Sequence, residues 1–307
     1  MVLFFISLVF ILISSYFLSA ILERQDTAKS FIYFAIISFS QIVLTTEVLS
    51  LFKQFKEVPF LVLNLLFFTV ITFLWIKKGF PSWKFEYKEH FIRLKNSLML
   101  DKSLLVLFFA WGFFMLVTLF LCSVSTVTDG DAKSYHVGRA AFWVLNSTVN
   151  HYPAIDVRAL IFPINSEIVY SWIILFTKNL LFLGFLSFIF YFVYITSLYK
   201  IVHNLMGYSL RRTLWVVLIA SSFAGVCAQI SSNQTDLVIA SLVTSSIYLF
   251  WSSFKDNKTV SIVISSLCYA LAIGTKTSAG FLIPAVLIFF IYLSLRYKNF
   301  KNLLKFL

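Results

Sequence analysis

Residues 103–124 read SLLVLFFAWGFFMLVTLFLCSV, an uncharged run of 22 residues. A helix of about 20 apolar residues crosses a ~30 Å hydrocarbon core, so this run alone is long enough to span a membrane. Comparable runs occupy Val2–Ile21, Ser30–Leu51, Pro59–Ile76, Leu180–Val202, Thr213–Ala228, Leu237–Trp251, Val260–Ala272 and Ala279–Leu295. Only 12% of the 307 residues are charged and 60% are hydrophobic. A soluble domain carries about 25% charged residues, so a soluble globular fold, a disordered chain and a disulfide scaffold are excluded. The runs predict an all-α, polytopic transmembrane helical bundle of about nine spans. The first run has no basic region ahead of it and no A-x-A cleavage site, and is expected to be a retained span.

The net charge of +12 would suggest nucleic acid in a soluble protein. Here the basic residues lie between apolar runs, which positive-inside topology explains without a nucleic-acid partner. Placing the Lys77–Lys102 loop in the cytoplasm puts eighteen of the 25 Lys and Arg residues on that side and seven on the other. The segment Ser166–Thr177 is apolar, but at 12 residues it is short for a span. Counting it as one would reverse every later loop, so it is expected to be an interfacial helix on the outer surface. Cys122, Cys227 and Cys268 lie inside apolar runs without ligand-like spacing, so no disulfide or cysteine metal site is expected.

This topology gathers three polar segments on the outer side: Thr126–Arg158, Ser231–Asp236 and Gly274–Ser278. Polar groups at membrane depth are costly in lipid and face a cavity, a partner or a pathway. A helix starting near Asp131 would set Asp131, Tyr135, Gly138 and Phe142 on one face, with His136, Arg139 and Trp143 on the next. Each candidate has a structural and a chemical reading. Asp129 and Asp236 can cap helices. Asp131 can answer a helix dipole or serve as a base. Lys276 can snorkel to the interface or hold an anion. Arg139 and Arg158 can meet lipid headgroups or a phosphate. A metal site built from His136, His151 and the two aspartates matches no standard spacing, and none is expected.

The stretch from Asp131 through Tyr135 and His136 to Arg139 resembles the first external loop of the GT-C superfamily of membrane glycosyltransferases. It is similar to the bacterial relatives of the protein O-mannosyltransferases and of the aminoarabinose transferase. Tyr152-Pro153 and Phe162-Pro163, followed by Glu167, resemble the end of that loop. Asn233–Leu237 and Ala272–Lys276 resemble two later motifs in the family's order. The resemblance implies two parts: residues 1–102, an N-terminal three-span extension with a cytoplasmic loop, and residues 103–307, a GT-C-like region whose external loop 125–179 is of the catalytic type.

It further implies transfer of a sugar from a polyprenyl-phosphate-linked donor to a lipid, glycan or protein acceptor, at the outer face of a bacterial inner membrane. Asp131, with Asp129 second, would be the base. Lys276, Arg158 and Arg139 would bind phosphate. Asp236 would orient a cation or bind sugar, and Tyr135 and His136 would pack on the sugar or shape the loop. No cofactor is implied, and a divalent metal is left open. The rival readings are a transporter or flippase of a lipid-linked substrate and an inactive structural subunit. The inverted repeat and broken midplane helices of a transporter are not evident in the sequence.

Overall fold

The computed structural model describes residues 1–84, 87–127, 129–256 and 258–307, without the side chains of residues 87, 88 and 90. The described chain is helical and contains no strand. Three long helices open it: α1 (Val2–Leu22), α2 (Thr27–Leu51) and α3 (Glu57–Lys77). A short α4 (Tyr87–Met99) leads into α5 (Lys102–Val124). The polar loop then forms α6 (Val137–Asn146) and α7 (Arg158–Ile161), and the apolar segment after it forms α8 (Asn165–Thr177). The remainder is α9 (Phe185–Lys200), α10 (Leu210–Ser221), α11 (Ala224–Gln229), α12 (Asp236–Asp256), α13 (Thr259–Ile273), α14 (Ser278–Phe281), α15 (Ile283–Arg296) and α16 (Lys301–Phe306).

Among the described residues, six helical stretches are long and apolar enough to cross a membrane: α1, α2, α3, α5, α12, and α9 with its wide-turn continuation to Leu205. The other three expected spans are shorter or interrupted. The sixth breaks between α10 and α11, where the Ser222 hydroxyl donates 2.6 Å to the carbonyl of Leu218 and Phe223 turns extended. Such back-bonding serines compete with the helix ladder. The last divides into α14 and α15 at Leu282. Pro284, in the first turn of α15, lacks an N–H that could continue the helix before it.

The chain alternates regularly between two ends of the bundle. At one end α1 begins, α2 finishes, α3 begins and α13 finishes. Trp172 on α8 bonds Ser7 at 3.0 Å, Ser50 bonds Thr148 at 2.9 Å, Lys178 pairs with Glu57 at 2.8 Å and Ile164 N–H reaches Gly274 O at 2.9 Å. Both ends of α8 therefore lie at this same end, as expected for a helix that does not span. It does not, however, lie on an open surface. Every residue from Asn165 to Phe176 is buried, and α8 sits inside the largest core cluster, with residues of α1, α2, α6, α9, α12 and α13 around it. The opposite end carries Lys29, Lys200, Lys258 and Lys305, each hydrogen-bonded or paired to another helix or turn.

Candidate active site

The polar loop is built from its first helical turn. Asp129 caps it: Oδ1 accepts from Ala132 N–H at 2.7 Å, leaving Oδ2 buried and unpartnered among the described residues. Residues 132–136 then wind as a π-turn rather than an α-turn, a wide turn found often at functional sites. Asp131 is exposed and Tyr135 is buried, and Arg158 reaches both. Its Nη1 donates to Asp131 Oδ1 at 2.8 Å, and its guanidinium carbon lies 4.6 Å from the centroid of the Tyr135 ring. Arg158 also grips Asp156 through Nε at 3.0 Å and Nη2 at 2.8 Å. That pair holds the Asp156 carboxyl below its usual range. Burial, and then the charge of Asp131, push the Tyr135 phenol up to about 12, so it remains protonated at physiological pH.

Beneath the loop lies a buried triad. Glu167, wholly enclosed on α8, accepts from Arg139 Nη2 at 2.5 Å and meets His136 Nδ1 through the same oxygen at 2.5 Å. Arg139 also donates to the carbonyls of Phe162, Ala159 and Pro163 at 2.8, 3.1 and 3.2 Å, and lies 5.3 Å from the Trp143 ring. At 1% exposure, its guanidinium fastens the loop to α8 rather than facing a cleft. His136 is buried beside it.

The other two polar segments meet each other. Lys276 Nζ pairs with Asp236 Oδ1 at 2.5 Å, with the side chains 29% and 44% exposed. Gln229 donates to Asp236 Oδ2 at 3.2 Å and accepts from Leu237 N–H at 3.2 Å, so it steadies the start of α12. Tyr170 of α8 donates to Asn233 O at 3.1 Å. This ties the same motif to the helix that carries Glu167. Asp236 lies within electrostatic range of His136, and Tyr170 within range of Glu167 and Asp129. The three polar segments thus meet around the start of α8. Among the described residues, no group of three or more His, Cys, Asp or Glu side chains is placed to hold a metal ion.

Residues 166–307 match the dolichyl-phosphate-mannose-protein mannosyltransferase family. This match, over a little under half of the chain, supports a membrane glycosyltransferase of the GT-C type. No curated protein and no solved structure matches it significantly. The matched segment contains Glu167, Asp236 and Lys276. Asp129, Asp131, Tyr135, His136, Arg139 and Arg158 precede it.

Two positions that shape this site were not legible as contacts. Glu167 stood only at the end of a loop motif, and nothing in the spacing links it to His136 and Arg139, 31 and 28 residues away. Gly274 stood in a motif, but its role is steric. A Cβ there would meet Asn165 Nδ2 at 2.4 Å, because the carbonyl of Gly274 receives the N–H groups of both Ile164 and Asn165.

Proposed function

We propose that this membrane glycosyltransferase moves a sugar from a polyprenyl-phosphate carrier to a hydroxyl of a lipid, glycan or protein acceptor, on the outer face of a bacterial cytoplasmic membrane. The observation that carries the reading is the meeting of the three polar segments at one end of the bundle, with two cations, Lys276 and Arg158, held in ion pairs that water reaches. The eighteen-to-seven distribution of basic residues supports the orientation. In this reading residues 1–102 are the three-span extension and residues 103–307 the catalytic region.

Asp131 is the proposed base. It is 55% exposed, one oxygen holds Arg158, and the other has no partner among the described residues. The Asp129 cap fixes the turn that presents it. The Asp131 carboxylate takes the proton from the acceptor hydroxyl as that oxygen attacks the anomeric carbon. The bond between that carbon and the phosphate oxygen breaks, and the electron pair leaves with the lipid phosphate, which needs no proton. Attack opposite the leaving group inverts the anomeric centre. Lys276 and Arg158 stabilise the charge on the departing phosphate, Lys276 exchanging its contact with Asp236 for the phosphate. Asp236 positions Lys276 before the donor binds, while Tyr135, His136 and Arg139 hold the loop in shape.

A cavity of about 330 Å³ supplies a path for the lipid chain. It lies between α1, α2, α8 and α9, and apolar side chains such as Phe4, Leu8, Phe39, Trp172, Phe185 and Phe190 line it. Glycans and glycolipids isolated from membranes made with and without this gene test the reading. One product should lack a sugar when the gene is absent, and an identical set of products would contradict it.

A further inference from the structure

The end of the bundle opposite the cleft holds a second concave site, of about 450 Å³, lined by Glu23, Arg24, Gln25, Lys78, Pro81 and Lys258. We propose that it binds the phosphodiester headgroup of an anionic phospholipid. The inference is independent of the glycosyl-transfer reading.

The charge balance of the pocket comes first. Among the described lining residues Glu23 is the only acid, and it is already neutralised. It is almost wholly buried, pairs with Lys258 at 2.6 Å and accepts from Gln25 N–H at 3.0 Å. Arg24 and Lys78 are exposed and have no partner among the described side chains. The neighbouring inward cations are different: Lys29 is paired with Asp256 at 2.5 Å and Lys200 with Asp26 at 2.6 Å. Arg24 and Lys78 therefore leave unanswered positive charge in the pocket.

The walls are built by hydrogen bonds that do not involve the two free cations' side chains. Lys84 N–H donates to Arg24 O at 2.9 Å, Thr27 Oγ1 donates to Lys84 O at 2.6 Å, and Trp75 Nε1 donates to Pro81 O at 2.7 Å. The site is thus formed before any ligand arrives.

Placement selects a lipid over a free phosphate. The pocket lies where α1 and α3 finish, at the level of a headgroup layer. Beside it α3 presents Phe73, Leu74 and Ile76 outward, 64%, 41% and 49% exposed. An amphiphile can lay its acyl chains on that surface with its phosphate between Arg24 and Lys78, whereas inorganic phosphate would leave the apolar wall unused. Basic pockets between membrane helices hold anionic headgroups in this way.

The test uses the full chain purified in neutral detergent and titrated with phosphatidylglycerol or phosphatidylcholine, with bound lipid counted by native mass spectrometry. Phosphatidylglycerol should be retained preferentially. At about 1 kcal/mol for each basic residue near an anionic surface, the double variant Arg24→Gln/Lys78→Gln should lose roughly 25-fold in affinity for it. Lys53→Gln/Lys56→Gln, at the other end, should leave the preference intact. Equal retention of the two lipids, an unaffected double variant, or an equal loss in the Lys53/Lys56 control would overturn the site. Displacement of the lipid by inorganic phosphate at comparable concentration would overturn the lipid assignment. Both substituted residues are exposed, and an unchanged circular dichroism spectrum confirms that the variant is folded.

Discussion

The two ends of the bundle use ion pairs differently. At the basic end three pairs that join different elements each have one partner taken nearly out of water: Lys29 with Asp256 is 1% against 37% exposed, Lys200 with Asp26 is 9% against 32%, and Lys258 with Glu23 is 42% against 3%. These pairs bind the α1–α2 turn to α9, to the end of α12 and to the turn before α13. At the cleft end the pairs Lys276–Asp236 and Arg158–Asp131 have both partners between 29% and 55% exposed. A buried pair that loses a member leaves an uncompensated charge. A solvated pair contributes little to stability and can exchange partners with a ligand. Pairs that hold helices and pairs that await a substrate are thus distinguished by burial, not by distance, since both kinds measure 2.5–2.8 Å.

One cleft-end group behaves like the basic end, and its loss should have the largest effect on stability. Glu167→Gln leaves Arg139 charged and enclosed and should cost about 3–5 kcal/mol, read as a large fall in Tm of the detergent-purified protein. Asp256→Asn strands buried Lys29, but water reaches the site through Asp256. A loss of about 1–3 kcal/mol is expected in the same measurement.

Lys276→Gln should leave Tm nearly unchanged while weakening binding of a polyprenyl-phosphate donor by about 1.5–3 kcal/mol, the scale of a charge-assisted hydrogen bond. A fall in Tm as large as that of Glu167→Gln, with donor binding intact, would make Lys276 a structural residue and erase the distinction between the ends. Gly274→Ala should have the smallest effect that is still measurable. The added carbon presses on a side chain able to turn aside, and about 1–2 kcal/mol of stability is expected to go, with Asn165→Ala in the same chain restoring part of it.

Much of this was legible in the sequence. The apolar runs, the polar loop and the shared sidedness of Asp131, Asp236 and Lys276 follow from hydropathy and charge counting, because lipid imposes them on any helical chain. What failed depended on tertiary packing. Residues 132–136 wind as a π-turn, and 3.6-residue periodicity has no means of announcing one. The α8 segment is apolar on all sides, a pattern shared by a helix lying in lipid and one enclosed by protein. Arg139 has the residue type of a phosphate ligand. Only the approach of Glu167 and three carbonyls reveals that its two Nη groups are already engaged.

The central claim is that the cleft end transfers a sugar with Asp131 as base and Asp129 as the cap that positions it. The direct measurement is single-turnover transfer from a lipid-linked sugar in proteoliposomes, comparing Asp131→Asn with Asp129→Asn. Asp131→Asn keeps the shape and removes the basicity, so transfer should fall by about 10²–10⁴-fold with donor binding retained. Asp129→Asn should lose far less, because asparagine caps helices comparably. Full activity in both variants, or loss confined to Asp129→Asn, would contradict the assignment.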